Sequence, residues 1–182
     1  MTSQVRKITF AASIAGVYFA LTILLAPISY NALQFRVSEA LTILPYFFPL
    51  AVPGLFVGCI LANLFSPVNN LLDVVIGSTA TLLAAICTMQ IGKSRNNERL
   101  ATKAIACIPP VVINAVLVGT MIAYVMLAEG DNAVFWENMI ECILLVGFGQ
   151  LVVLYVIGLP LMIYLPKMGV IDRLKNLYSG GK

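Results

Sequence analysis

A chain of 182 residues that is 60% hydrophobic, only 10% charged and free of histidine is not composed like a soluble domain, where about 25% of residues are charged. Several of its apolar runs reach the ~20 residues needed to cross the ~30 Å hydrocarbon core, so an all-α integral membrane protein is expected. A net charge of +3 is too small to point to nucleic acid, and with no histidine, nucleotide motif or metal-ligand cluster there is no conventional nucleophile–base set. No catalytic residue, no metal site and no cofactor of its own is therefore expected. Cys59, Cys87, Cys107 and Cys142 fall singly in apolar segments and read as reduced packing residues.

Arg6 and Lys7 precede an apolar run from Ile8 to Ile28. That run exceeds the ~7–15 residues of a signal-peptide core and lacks a small-x-small cleavage site, so it reads as a retained first span, with helix 1 over 8–26 stopping at Pro27. Ala12, Gly16 and Ala20 recur every four residues on it, with Ala11 and Ala15 alongside. So flat a face lets another helix approach closely, either within the protein or from a partner membrane protein. Helix 2 is expected over 36–48, bounded by Pro49 and Pro53, and helix 3 over 54–65, ended by Ser66-Pro67. At ~1.5 Å per residue each reaches only ~20 Å, which suits helices lining a cavity or a re-entrant hairpin. Helix 4 follows over 71–91 and the aqueous stretch GKSRNNERLATK comes next. Its GKS is not a phosphate loop, because Cys87 stands where the first glycine belongs and no strand precedes it. Helix 5 covers 104–127, an acidic loop EGDNAVFWE leads to helix 6 over 138–165, and a polar tail frayed at its glycines ends the chain. With no repeat or linker, residues 1–182 read as one domain.

Six crossings put both termini on one side, together with all the Lys and Arg residues except Arg36. The positive-inside rule then makes the termini cytoplasmic. Arg36, Glu39, Asp73, Glu137 and Glu141 fall at or just below the opposite surface, with Asn63, the deeper Asn114, and the aromatic Tyr30, Phe35, Phe135 and Trp136. Arg36 and Glu39 lie three apart, one helical turn, and could form a plain ion pair. Trp136 and Phe135 could be interfacial belt residues. Taken together, four carboxylates facing one guanidinium suit a cationic or donor-rich ligand.

The stretches PISYNALQFRVSEALTILPYF, PGLFVGCILANLFSP and DVVIGSTATLLAA, with PPVVINAVLVG and GLPL further on, resemble the QueT family. These are substrate-binding (S) components of energy-coupling-factor (ECF) transporters assigned to queuosine precursors such as preQ1. The resemblance implies six helices with cytoplasmic termini in the bacterial cell membrane, and an outward-level pocket partly closed by the loop from Ile28 to Phe35, which contributes Tyr30, Gln34 and Phe35. It implies that helix 1 meets a transmembrane coupling subunit through Ala11, Ala12, Ala15, Gly16 and Ala20. Two cytoplasmic ATPases would supply the nucleotide chemistry, and the whole S component would topple within the lipid to carry its ligand inward. For preQ1, Glu39 and one of Glu137 or Glu141 are expected to accept from the two donor sets, with Asp73 third. The O6 carbonyl is expected against Arg36, Asn63 or Asn114, and the flat base against Trp136, Tyr30 or Phe35. Gln150 departs from the family pattern, in which a glutamate is common after the glycine matching Gly149, and implies a neutral or differently substituted precursor such as queuine. An S component for another vitamin-like ligand and a stand-alone ion-coupled secondary transporter are the competing readings.

Overall fold

The computed structural model describes residues 2–30, 35–66, 71–93, 98–128 and 135–179. Among these residues every element is helical. Helix α1 (Ser3–Leu24) is followed at once by the single turn α2 (Ala26–Ser29), where Pro27 sits in the first turn and its missing N–H leaves no bond unmade.

The segment expected as an α-helix over 36–48 is instead a tightly wound 3-10 helix, Val37–Tyr46, ten residues long with Pro45 inside it. Such helices rarely exceed 3–4 residues. At ~2.0 Å rise this one spans ~20 Å, where an α-helix of that length would span ~15 Å. Three residues per turn stack Glu39, Thr42 and Pro45 in one row and Ala40, Ile43 and Tyr46 in the next, and both rows are buried. This tight helix is the axis of the fold.

Helix α3 (Ala51–Leu64) returns alongside α1. A Cβ on Gly54 would stand 2.6 Å from the Ala11 carbonyl oxygen, and one on Gly58 would stand 3.0 Å from the Ala15 Cα. The two backbones thus touch through the glycines, with Tyr18, Leu55 and Cys59 buried beside them. A π-helical segment, Asp73–Gly77, runs directly into α4 (Ser78–Gly92). Helices α5 (Leu100–Ala106) and α6 (Ile108–Ala128) are broken only at Cys107, ahead of Pro109 and Pro110. The span expected over 138–165 is α7 (Phe135–Val152), a second π segment Val153–Gly158, and α8 (Leu159–Lys167).

Both π segments end in a glycine set close to what lines the tight helix. A Cβ on Gly158 would lie 3.2 Å from Ile43 Cγ2, and one on Gly77 would lie 3.9 Å from Arg36 Nη1. At the far end Gly92 of α4 closes directly on the Tyr46 backbone. Gly169 takes φ +67°, a conformation glycine adopts without penalty, and redirects the chain into α9 (Val170–Ser179). The polar tail is therefore a helix up to Ser179. Ile171 is buried and Leu174 packs beside it against the α1–α3 cluster, the i, i+3 spacing of an amphipathic face. Gly180 and Gly181, where fraying is expected, lie outside the described residues.

Among the described residues, four helical runs are long and apolar enough to cross a membrane: Gln4–Leu24, Asp73–Gly92, Leu100–Ala128 and Trp136–Lys167. The tight helix and α3 are shorter and sit among them.

Candidate functional site

A core of buried polar side chains lies around the first half of the tight helix, in two tiers. Arg36 heads the upper tier. Its backbone is still extended (φ −80°, ψ 94°), so its side chain leaves the helix axis before the helix begins. It is 3% exposed and its Nη2 donates to Asp73 Oδ2 at 3.2 Å. The i, i+3 pairing with Glu39 is thus not formed, because only one of the two residues is within the helix.

Asp73 opens the first π segment, a geometry common at functional sites. Asn63, near the end of α3, donates Nδ2 to the Asp73 backbone carbonyl at 2.9 Å. Gly77 leaves room for all three side chains: a Cβ there would lie 2.8 Å from Asn63 Nδ2, 3.1 Å from Asp73 Oδ1 and 3.9 Å from Arg36 Nη1. The Arg36 guanidinium also stands 5.0 Å from the centre of the Tyr30 ring, whose hydroxyl donates to the Ala62 carbonyl at 2.7 Å.

Glu39 holds the lower tier and is 1% exposed. Its Oε1 accepts from the Tyr18 hydroxyl and from Thr81 Oγ1 at 3.2 Å, and its Oε2 accepts from Asn114 Nδ2 at 3.5 Å. One carboxylate thereby ties α1, α4 and α6 to the tight helix. Thr22 and Ser38 share a hydrogen bond of 2.6 Å beside it, and Thr81 also reaches Cys59 Sγ at 3.4 Å.

The tiers differ in what they leave over. Arg36 Nε, Asn63 Oδ1 and Asp73 Oδ1 are buried and, among the described residues, have no hydrogen-bond partner. The same is true of Ser29 Oγ, Ser78 Oγ and Gln150 Oε1. Each such atom costs roughly 1–3 kcal/mol unless something binds it. Both Glu39 oxygens, by contrast, already accept hydrogen bonds, Oε1 two and Oε2 a long one of 3.5 Å.

Other expected site residues lie elsewhere. Trp136, Glu137 and Glu141 stand in the first two turns of α7 and are exposed, Trp136 by 70%, so they do not line the buried core. Phe35 packs edge-on against Phe148, ring centres 6.5 Å apart. Gln150 is buried on the inward face of α7, one turn beyond Val146. Gln34 lies outside the described residues.

The five small residues of α1 divide between two faces. Ala11 and Ala15 meet the glycines of α3, whereas Ala12, Gly16 and Ala20 are exposed, and among the described residues nothing lies within 4 Å of where a Cβ on Gly16 would stand. Tyr18, Thr22, Thr81 and Gly77 were not singled out from the sequence as site residues. The available signal was polar spacing: Tyr18 and Thr22 are four apart, on one face of an otherwise apolar helix.

The family model of the QueT transporter matches residues 8–167. The chain belongs to the QueT transporter family. No curated protein and no solved structure matches it. The QueT match runs from the second turn of α1 to the end of α8, so it takes in both tiers of the polar core and stops short of α9. Membership makes the chain a membrane-embedded transporter component with a small-molecule ligand, in a family of transporters rather than enzymes. Among the described residues no group of three or more His, Cys, Asp or Glu converges as a metal site.

Proposed function

We propose that this QueT member is the substrate-specific S subunit of an ECF-type importer and binds a queuosine precursor, preQ1 or queuine, in the buried polar core. The observation that carries the reading is the imbalance of that core. Of the unpartnered buried groups, Asn63 Oδ1, Asp73 Oδ1 and Gln150 Oε1 can only accept, while Arg36 Nε is the one obligate donor. A deazaguanine with an aminomethyl arm has the reverse balance, rich in N–H donors and with one carbonyl. The amide of Gln150 supports queuine or another substituted arm over the bare ammonium of preQ1.

The four long helices with the tight helix and α3 make the six segments of this reading. Positive-inside charge puts the termini in the cytoplasm and the chain in the bacterial cytoplasmic membrane. The exposed stripe Ala12, Gly16 and Ala20 is the face offered to the transmembrane coupling subunit. ATP is then used by two partner ATPases, and this chain needs no cofactor.

The test is binding to the purified chain in lipid nanodiscs, followed by uptake into proteoliposomes. PreQ1 or queuine at ~100 times its Kd should stabilise the protein by ~2.7 kcal/mol, while biotin, riboflavin and thiamine leave it unchanged. Uptake should require the coupling and ATPase subunits. A stabilising effect from one of the other vitamins alone, or ion-driven uptake by the isolated chain, would overturn the reading.

A further inference from the structure

The upper tier offers more than an excess of acceptors: it offers them in an order. Asn63 Nδ2 is held by the Asp73 backbone carbonyl, which orients the amide and leaves Oδ1 as the free atom. Asp73 Oδ2 is held by Arg36, which leaves Oδ1. Arg36 in turn keeps Nε free. All three residues are at least 95% buried and meet at Gly77, where a Cβ would lie 2.8 Å from Asn63 Nδ2, 3.1 Å from Asp73 Oδ1 and 3.9 Å from Arg36 Nη1.

We propose that Asn63, Asp73 and Arg36 form an acceptor–acceptor–donor array that reads a 2-aminopyrimidin-4-one edge, and that Glu39 is not a ligand contact. The exocyclic amine and the ring N–H of such an edge donate to Asn63 Oδ1 and Asp73 Oδ1, and its carbonyl accepts from Arg36 Nε. This inference rests on the reading of the core as a precursor site and adds which residues set its selectivity. It reassigns the donor-binding role from Glu39, whose oxygens already accept from Tyr18, Thr81 and Asn114, to atoms that have no partner among the described residues. Because preQ1 and queuine share the edge, the array fixes the base and leaves the arm to other residues.

The experiment compares affinities of the purified full chain for preQ1, 7-deazaguanine and 7-deazahypoxanthine, which lacks the exocyclic amine. Loss of the hydrogen bond to the buried Asn63 Oδ1 should weaken binding of 7-deazahypoxanthine about 10–100-fold relative to 7-deazaguanine. In Asn63→Ala and in Asn63→Leu that ratio should fall towards one, whereas in Asp73→Asn, which weakens both bases alike through the ring N–H they share, and in Glu39→Gln it should stand. The ratio is taken within one variant, so a general loss of folded protein cancels, and either Asn63 variant suffices if the other does not fold. Should wild type bind preQ1 and yet the ratio in both Asn63 variants match the wild-type one, the array is wrong and the precursor reading survives. Should wild type bind neither these three nor queuine, both fall.

Discussion

Arg36 bypasses Glu39, three residues ahead of it, and pairs with Asp73 thirty-seven residues on, Nη2 to Oδ2 at 3.2 Å. A guanidinium and a carboxylate that are both buried hold each other at the cost of both hydration shells. Such a pair contributes little net stability, yet either half alone is a liability. Arg36→Ala or Asp73→Ala should each destabilise the chain by about 3–5 kcal/mol, through the unpaired charge left behind. The double replacement Arg36→Met with Asp73→Leu should regain most of that loss while binding no precursor. Thermal unfolding of the three variants in nanodiscs, with a ligand titration on the double variant, checks both halves.

Glu39 makes the opposite prediction. It accepts from three helices, and a glutamine there keeps one acceptor but turns an amide N–H₂ towards groups that are themselves donors. Glu39→Gln should therefore cost about 1–3 kcal/mol of stability. Precursor affinity of the folded fraction should change by less than about threefold, a shift well under one decade of ~1.4 kcal/mol. Tyr18→Phe should cost a similar ~1.5–3 kcal/mol, as it removes a donor to a carboxylate. A selective loss of affinity at full stability in Glu39→Gln would put the glutamate back in the ligand site.

How far the sequence discloses this arrangement depends on the element. The long apolar runs are plain, because length and composition alone mark a helix that can cross a bilayer. The buried standing of Arg36, Glu39, Asn63, Asp73, Asn114 and Gln150 is foreseeable as well, since so few polar groups interrupt the apolar segments. The winding of the tight helix is harder. Arg36, Glu39 and Thr42 recur at intervals of three, the period of a 3-10 helix, but three residues are too few to tell that from one side of an α-helix. The π segments leave no trace, because VVIG and VLYVIG are apolar throughout and have no polar stripe to fall out of phase. For the same reason the outward turn of Trp136, Glu137 and Glu141 could not be read: α7 beyond them is apolar nearly all round. Partner choice for Arg36 was illegible because it depends on Asp73, on another helix.

Gly77 is where a single methyl group should separate folding from binding. A Cβ there would sit 2.8 Å from Asn63 Nδ2 and 3.1 Å from Asp73 Oδ1, both side-chain ends that can give by a few tenths of an ångström. Gly77→Ala should thus be tolerated, with a stability change of roughly 1 kcal/mol or less, since replacing a helical glycine by alanine itself favours the helix by ~1 kcal/mol. The methyl nevertheless presses on the free Asp73 Oδ1 and on the amide of Asn63, displacing both acceptors from their register, so precursor affinity should drop by at least tenfold, about 1.4 kcal/mol. Calorimetric titration beside thermal unfolding resolves the two effects; unchanged affinity would show that the ligand does not use these acceptors.

The glycines of α1 and α3 make the last contrast, since they look alike in sequence and differ in what surrounds them. Gly54 and Gly58 press on α1, where a methyl group would meet the Ala11 carbonyl at 2.6 Å and the Ala15 carbonyl at 2.9 Å. Backbone cannot step aside as a side chain can, so Gly54→Ala and Gly58→Ala should each loosen the isolated chain by about 1–3 kcal/mol of overpacking. Among the described residues nothing lies within 4 Å of where a Cβ on Gly16 would stand, and Gly16 lies on the exposed stripe with Ala12 and Ala20. Gly16→Leu should leave the unfolding temperature of the isolated chain where it is, within about 0.5 kcal/mol. If this stripe receives the coupling subunit, the same variant should lose co-purification with that subunit and ATP-dependent uptake, while preQ1 binding to the chain alone persists. Intact assembly in Gly16→Leu would move the partner face off this side of α1.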